Sequence, residues 1–102
     1  MRAAAGAATD LLRSLAHADR LLLLCQLSQG ERTVGQLEEL VGLRQPSLSQ
    51  QLGVLRDAGL VRTRREGRHV HYSVADPRAL QVLRLLYDLY CPDGEAAEGK
   101  EE

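Results

Sequence analysis

The spacing of apolar residues changes at Gly59 and changes back at Asp76. Upstream, Leu48, Leu52 and Leu55 recur at the i, i+4, i+7 interval that lines one side of a helix. Downstream, Val61 and Thr63, then Val70, Tyr72 and Val74, alternate as strand residues do. After Asp76-Pro77, a cap followed by a first-turn proline, the helical interval returns in ALQVLRLLYDLY and runs to Cys91, just before Pro92. A helical chain interrupted by one hairpin before its last helix has few ways to fold.

The upstream helices can be placed from their ends. Residues 7–17 predict a first helix with Leu11, Leu12 and Leu15 on one side, leaving residues 1–6 as a flexible terminus. Asp19 is the expected cap of a second helix, whose LLLLCQL is apolar nearly all round, as suits the middle of a small core. Thr33 and Gln36 have the spacing of a capping box, with Val34, Leu37, Leu40 and Val41 as the buried side of a third helix that Gly42 and Leu43 break. Pro46 suits the first position of the fourth. A hairpin turning at Glu66-Gly67 would pair Val61 with Tyr72 and Thr63 with Val70, and on the other face Arg62 with His71 and Arg64 with His69. The apolar positions of the last helix cover more than one stripe, so it is expected to pack on its own domain and on a second subunit.

Twenty leucines and three tyrosines, with no Phe or Trp, describe a leucine-packed helical protein rather than a stacking platform for bases. At 102 residues one domain is expected, gaining stability from a partner. The run Leu21 to Cys25 is far too short to span a bilayer, and MRAAAGAA lacks the apolar stretch of a secretory signal, so a cytoplasmic location without membrane contact is expected. Two cysteines in that compartment imply conditional chemistry rather than a permanent disulfide. The net charge of −1 conceals a segregation: six arginines against Asp57 and Glu66 between Arg44 and Tyr72, and five acids against Lys100 in residues 93–102. Residues 92–102 are expected to be an acidic disordered tail on a domain spanning 7–91. The basic segment points to a polyanion.

Helix, short turn, helix, then an arginine-bearing hairpin is the order of a winged helix-turn-helix: mainly α, five helices and a two-stranded wing. Opposite the leucine stripe of residues 44–61 fall Pro46, Ser49, Gln50 and Gly53. Ser and Gln can hydrogen-bond base edges or phosphates, and a Gln amide can address adenine through two bonds. Gly53 costs a helix interior about 1 kcal/mol relative to alanine, which predicts a close approach to the backbone there. Arg62, Arg64, Arg65 and Arg68, with His69 beside them, would neutralise phosphate charge, which positions a duplex without choosing its sequence.

LAHADRLLLLCQL, TVGQLEELVGLRQPSLSQQLGVLRDAGLVRTRREGRHVHYSV and the long last helix together resemble the ArsR/SmtB transcriptional repressors, over nearly everything from residue 11 to 91. The resemblance implies a homodimer joined through first and last helices that occupies a near-palindromic double-stranded operator until an inducer binds. On matching positions it implies that Gln45, Ser47, Ser49 and Gln50 are the major-groove contacts. Pro46 stands where relatives often carry a polar residue.

The ligand patterns of the metal-sensing relatives are missing: VGQLEELVG lacks their closely spaced cysteine pair, and the last helix lacks Asp-x-His and His-x-x-Glu. What remains is Cys25 and Cys91, whose placement is similar to that of the dithiol, SqrR/BigR-like branch that responds to sulfide and persulfide. The resemblance thus implies reactive sulfur species as the inducer, bridging Cys25 to Cys91 and releasing DNA, with no cofactor. The residues themselves leave other readings open. Cys91 sits at a helix C-terminus, where the dipole disfavours a thiolate, and a pair of inert core thiols has the same pattern. A metal ion or general oxidation is the alternative inducer, and zinc would need Cys25, Cys91, His17 and Asp88, which have no ligand-like spacing. A winged helix serving only as a protein-interaction module is a further reading. No nucleophile lies in an activating motif and no carboxylate pair marks a cleft, so an enzyme is not expected.

Overall fold

A computed structural model describes residues 1–91; the expected acidic tail, 92–102, lies outside the described residues. The elements run α1 (Arg2–Leu15), α2 (Ala18–Leu27), β1 (Arg32–Thr33), α3 (Val34–Val41), α4 (Ser47–Asp57), β2 (Val61–Glu66), β3 (His69–Val74) and α5 (Pro77–Tyr90). Five helices and an antiparallel hairpin make a winged helix-turn-helix.

The core is built from leucine. Among the described residues, ten of the twelve buried apolar side chains are leucines, and Leu23, Leu24, Leu37, Leu48, Leu52 and Leu55 are almost completely enclosed. These side chains come from α2, α3 and α4, so the helix that carries the polar face is anchored through its opposite side to the centre of the domain. Full burial of one such leucine stabilises by about 1.5–3 kcal/mol. No polar side chain is buried among the described residues.

Local signals set most helix ends. The Thr33 hydroxyl accepts from the Gln36 N–H at 3.2 Å while the Gln36 carbonyl oxygen accepts from the Thr33 N–H at 2.8 Å, the two halves of the predicted capping box. Gly42 then leaves the helix with φ +81°, a left-handed conformation open to glycine. Asp76 caps α5 by accepting from the Arg78 N–H at 2.9 Å, with Pro77 at the first helical position.

Several expectations need correction. The first helix begins at Arg2 rather than at residue 7, and the alanines on either side of Gly6 favour that extension. The cap of α2 is His17 rather than Asp19: its Nδ1 accepts from the Asp19 N–H at 3.2 Å. Pro46 occupies the cap position of α4, one place before the expected one. Nor is α2 buried all round, because Leu22 and Cys25 face outward.

The hairpin register is shifted. Val61 pairs with Val74, Thr63 with Tyr72, Arg64 with His71 and Glu66 with His69, so the turn is Gly67-Arg68. A turn at Glu66-Gly67 would place glutamate at the first central position, where the tight hairpin turns demand positive φ; Gly67, at φ +62°, takes that place instead. Because the slip spans two residues on one strand, each side chain keeps its expected face. The sheet also gains a strand: Arg32 and Thr33 of β1 pair with Tyr72 and His71, giving the order β1-β3-β2. Two residues are too few for a periodic signal.

Candidate nucleic-acid interface

The candidate surface starts at the turn between α3 and α4. Leu48, Leu52 and Leu55 hold α4 to the core, so Gln45, Ser47, Ser49 and Gln50 are all exposed on its outer side. Each can donate and accept hydrogen bonds without carrying charge. Gln45 also serves the helix itself, since its Oε1 accepts from the Ser49 N–H at 3.1 Å and so occupies one of the open donors of the first turn. Its amide NH2 keeps two donors for other partners. At Gly53 an added Cβ would meet no atom of the rest of the protein within 4 Å beyond its own helix backbone and chain neighbours. Any close approach to that backbone has to come from another molecule.

The wing distributes its cations unevenly. Arg62, Arg65, Arg68 and His69 are exposed. Arg62 and Arg64 lie on one face of the hairpin, Arg65 on the other, and Arg68 in the turn. Arg64 is engaged differently from its neighbours. Its Nη2 and Nε donate to the two carboxylate oxygens of Glu31 at 2.7 and 3.1 Å, and its Nη1 lies 3.5 Å from Glu66. His71 sits below this pair, its Nε2 3.2 Å from Glu66 and its Nδ1 3.9 Å from Glu31. The hydrogen bonds from Arg64 hold the Glu31 carboxyl below the usual carboxylate range against the opposing effect of desolvation, and the same bonds raise Arg64. Arg64, expected from the sequence to face a polyanion, is thus already paired bidentately to the segment before β1. Glu31 was not foreseen. Its only trace in the sequence is an acid just before the capping box, 33 positions from its partner.

The thiols are arranged otherwise than a ready-made bridge requires. Cys25 is exposed on α2 and Cys91 half-buried at the end of α5; no disulfide joins them, and they are not near each other. A direct bond needs Cα atoms about 4.4–6.8 Å apart. Among the described residues no three of His, Cys, Asp and Glu are grouped to hold a metal, so the set Cys25, Cys91, His17 and Asp88 is not assembled. No helix among the described residues is long and apolar enough to cross a membrane.

Comparison with known proteins agrees with this geometry. The family described as bacterial regulatory protein, arsR family, matches residues 17–63. The biofilm growth-associated repressor of Agrobacterium fabrum is 51% identical over 85 residues, which cover 83% of this chain and 73% of that one. The crystal structure of the transcriptional repressor BigR from Xylella fastidiosa superposes with a TM-score of 0.86 at 44% identity, covering 89% of this chain and 93% of the other. A homodimeric winged helix-turn-helix DNA-binding domain from Mycobacterium bovis matches with a TM-score of 0.76 at 27% identity, over 99% and 92% of the two chains.

Proposed function

The chain belongs to the arsR family of bacterial regulatory proteins, and from that premise we propose that it is a homodimeric transcriptional repressor whose α4 reads duplex DNA while its wing grips the backbone. One observation carries the reading: Gln45, Ser47, Ser49 and Gln50 face solvent above a fully buried leucine stripe, beside a hairpin whose Arg62, Arg65 and Arg68 are exposed. Uncharged hydrogen-bonders supply sequence choice and arginines supply salt-dependent affinity. The apolar side chains left outside on α1 and α5, among them Leu12, Leu85, Leu89 and Tyr90, suit a subunit interface formed by those helices. The test is binding to duplexes enriched by the protein from a randomised library. Gln50→Ala should cost about 1–3 kcal/mol on the enriched duplex and relax preference at one base position. Binding that is weak and indifferent to sequence at moderate salt would overturn the proposal in favour of a protein-interaction module.

For the inducer, we propose reactive sulfur acting on Cys25 and Cys91. The support is their placement, an exposed thiol on α2 and a half-buried one ending α5, together with the likeness to biofilm growth-associated repressors. Each thiolate takes a sulfur from a persulfide donor, whose thiol leaves; condensation of the two protein persulfides then expels hydrogen sulfide and leaves a three-sulfur link. Such a link reaches farther than a disulfide, and closing it must draw the end of α5 toward α2. Intact mass after persulfide treatment should show the internal link in the wild type and its absence in Cys25→Ser and Cys91→Ser. DNA release that persists in either variant would sink the dithiol reading and leave a metal ion or general oxidation as the inducer.

A further inference from the structure

Arg20 lies on α2, touches neither the α4 reading surface nor the wing, and yet ties three helices together. Its Nε donates to the Ser14 carbonyl oxygen at 2.6 Å and its Nη2 to the Arg13 carbonyl oxygen at 3.3 Å, both in the last turn of α1. Its Nη1 donates to Oε1 of Gln51 on α4 at 2.9 Å. The guanidinium is partly buried, planar and rigid, so its three bonds fix directions as well as distances. The leucine packing beneath α4 is non-directional, so the fork adds a directional restraint on the rotation of the helix about its axis. Gln51 follows Gln50 by one residue, about 100° around the same helix. A rotation that carries Gln51 beyond hydrogen-bond reach of Arg20 therefore swings Gln50, Ser47 and Ser49 by the same angle.

We propose that Arg20 is a positioning residue for DNA recognition: its fork sets the rotation of α4 against the C-terminal end of α1, so sequence selectivity depends on a side chain that makes no DNA contact. The inference rests on the DNA-binding reading above and adds a route by which the position of α1, with Leu12 on its outer side, reaches the reading surface. Charge near a helix C-terminus is favourable in its own right, which is why a purely structural role has to be separated from a positioning one.

The separating readout is the ratio of affinity for the library-enriched duplex to affinity for a scrambled duplex of equal length, measured beside the thermal midpoint. Arg20→Met and Gln51→Met should each lower that ratio about tenfold while leaving scrambled-duplex affinity and its salt dependence nearly unchanged. The double variant should be no worse than the worse single one, because both remove the same bond. Gln51→Glu keeps an acceptor for the guanidinium and should retain the wild-type ratio. A lowered thermal midpoint with an unchanged ratio, or effects that multiply in the double variant, would overturn the proposal. Should Arg20→Met fail to fold, Gln51→Met against Gln51→Glu decides the same question. A wild-type ratio near one would instead strike the DNA-binding reading itself.

Discussion

Arg64 and Arg68 are the same residue type on the same hairpin, and the structure gives them different work. Arg64 is neutralised within the chain by Glu31 and Glu66, whereas Arg68 stands exposed in the turn. Arg68→Ala should therefore weaken DNA binding for every sequence alike and lower the salt slope by about one, while Arg64→Ala should hardly change that slope; titrations across salt concentrations would measure both. The pairing also has a pH signature. Because Glu31 is held below its usual pKa, its contribution to folding is complete above the ordinary carboxylate range and fades only as pH falls through the lowered value. The difference in thermal midpoint between wild type and Glu31→Gln should stay level from neutrality down to that range and vanish below it. The pair is exposed, so the difference should be small. The caps formed by Thr33 with Gln36 and by Asp76 ahead of Pro77 were legible in the sequence, because a fixed short spacing carries them. Glu31 with Arg64 was not, since only folding brings them together.

At the scale of elements, the fold was legible wherever a period of 3.6 or 2 lasted long enough to count, which covers α4, α5 and both strands of the hairpin. Two failures share a cause. The register of β2 on β3 and the existence of β1 are both decided across strands, by which residue can turn the corner and which backbone finds a neighbour, and not by the pattern within one strand. Gly67 decides the corner through its positive φ. Gly67→Ala should destabilise the protein by about 1–3 kcal/mol, read from denaturant midpoints, and should weaken DNA binding by loosening the wing. A substitution tolerated without cost would mean that the turn is held by something other than its glycine. At α4 the leucine stripe correctly put the polar residues outside, but the sequence left the double role of Gln45 unseen, because an amide can serve a cap and a groove alike.

For the whole molecule, the decisive feature is how much apolar surface α1 and α5 leave outside: Leu12 is 58% exposed, Leu89 61% and Tyr90 79%. A chain this small with a leucine core gains from covering such surface with a second copy. Leu89→Glu should leave the fold intact, since the side chain packs little within its own domain, and yield a monomer by sedimentation. Loss of the second reading surface should then lower affinity for a two-half-site duplex by about a hundredfold or more. A dimeric Leu89→Glu protein would place the interface elsewhere. Subunit geometry also bears on the thiols, because Cys91 closes α5 and any movement that brings it toward Cys25 passes through the same helix.

The bond from the Ser49 N–H to Gln45 constrains how the protein could evolve new targets. Replacing Gln45 to favour a different base would also weaken the start of the helix that carries the other proposed contacts, so on that reading such a change is selected against twice. Ser47 and Gln50 have no such tie among the described hydrogen bonds, and divergence of operator preference between related proteins should begin at those two positions.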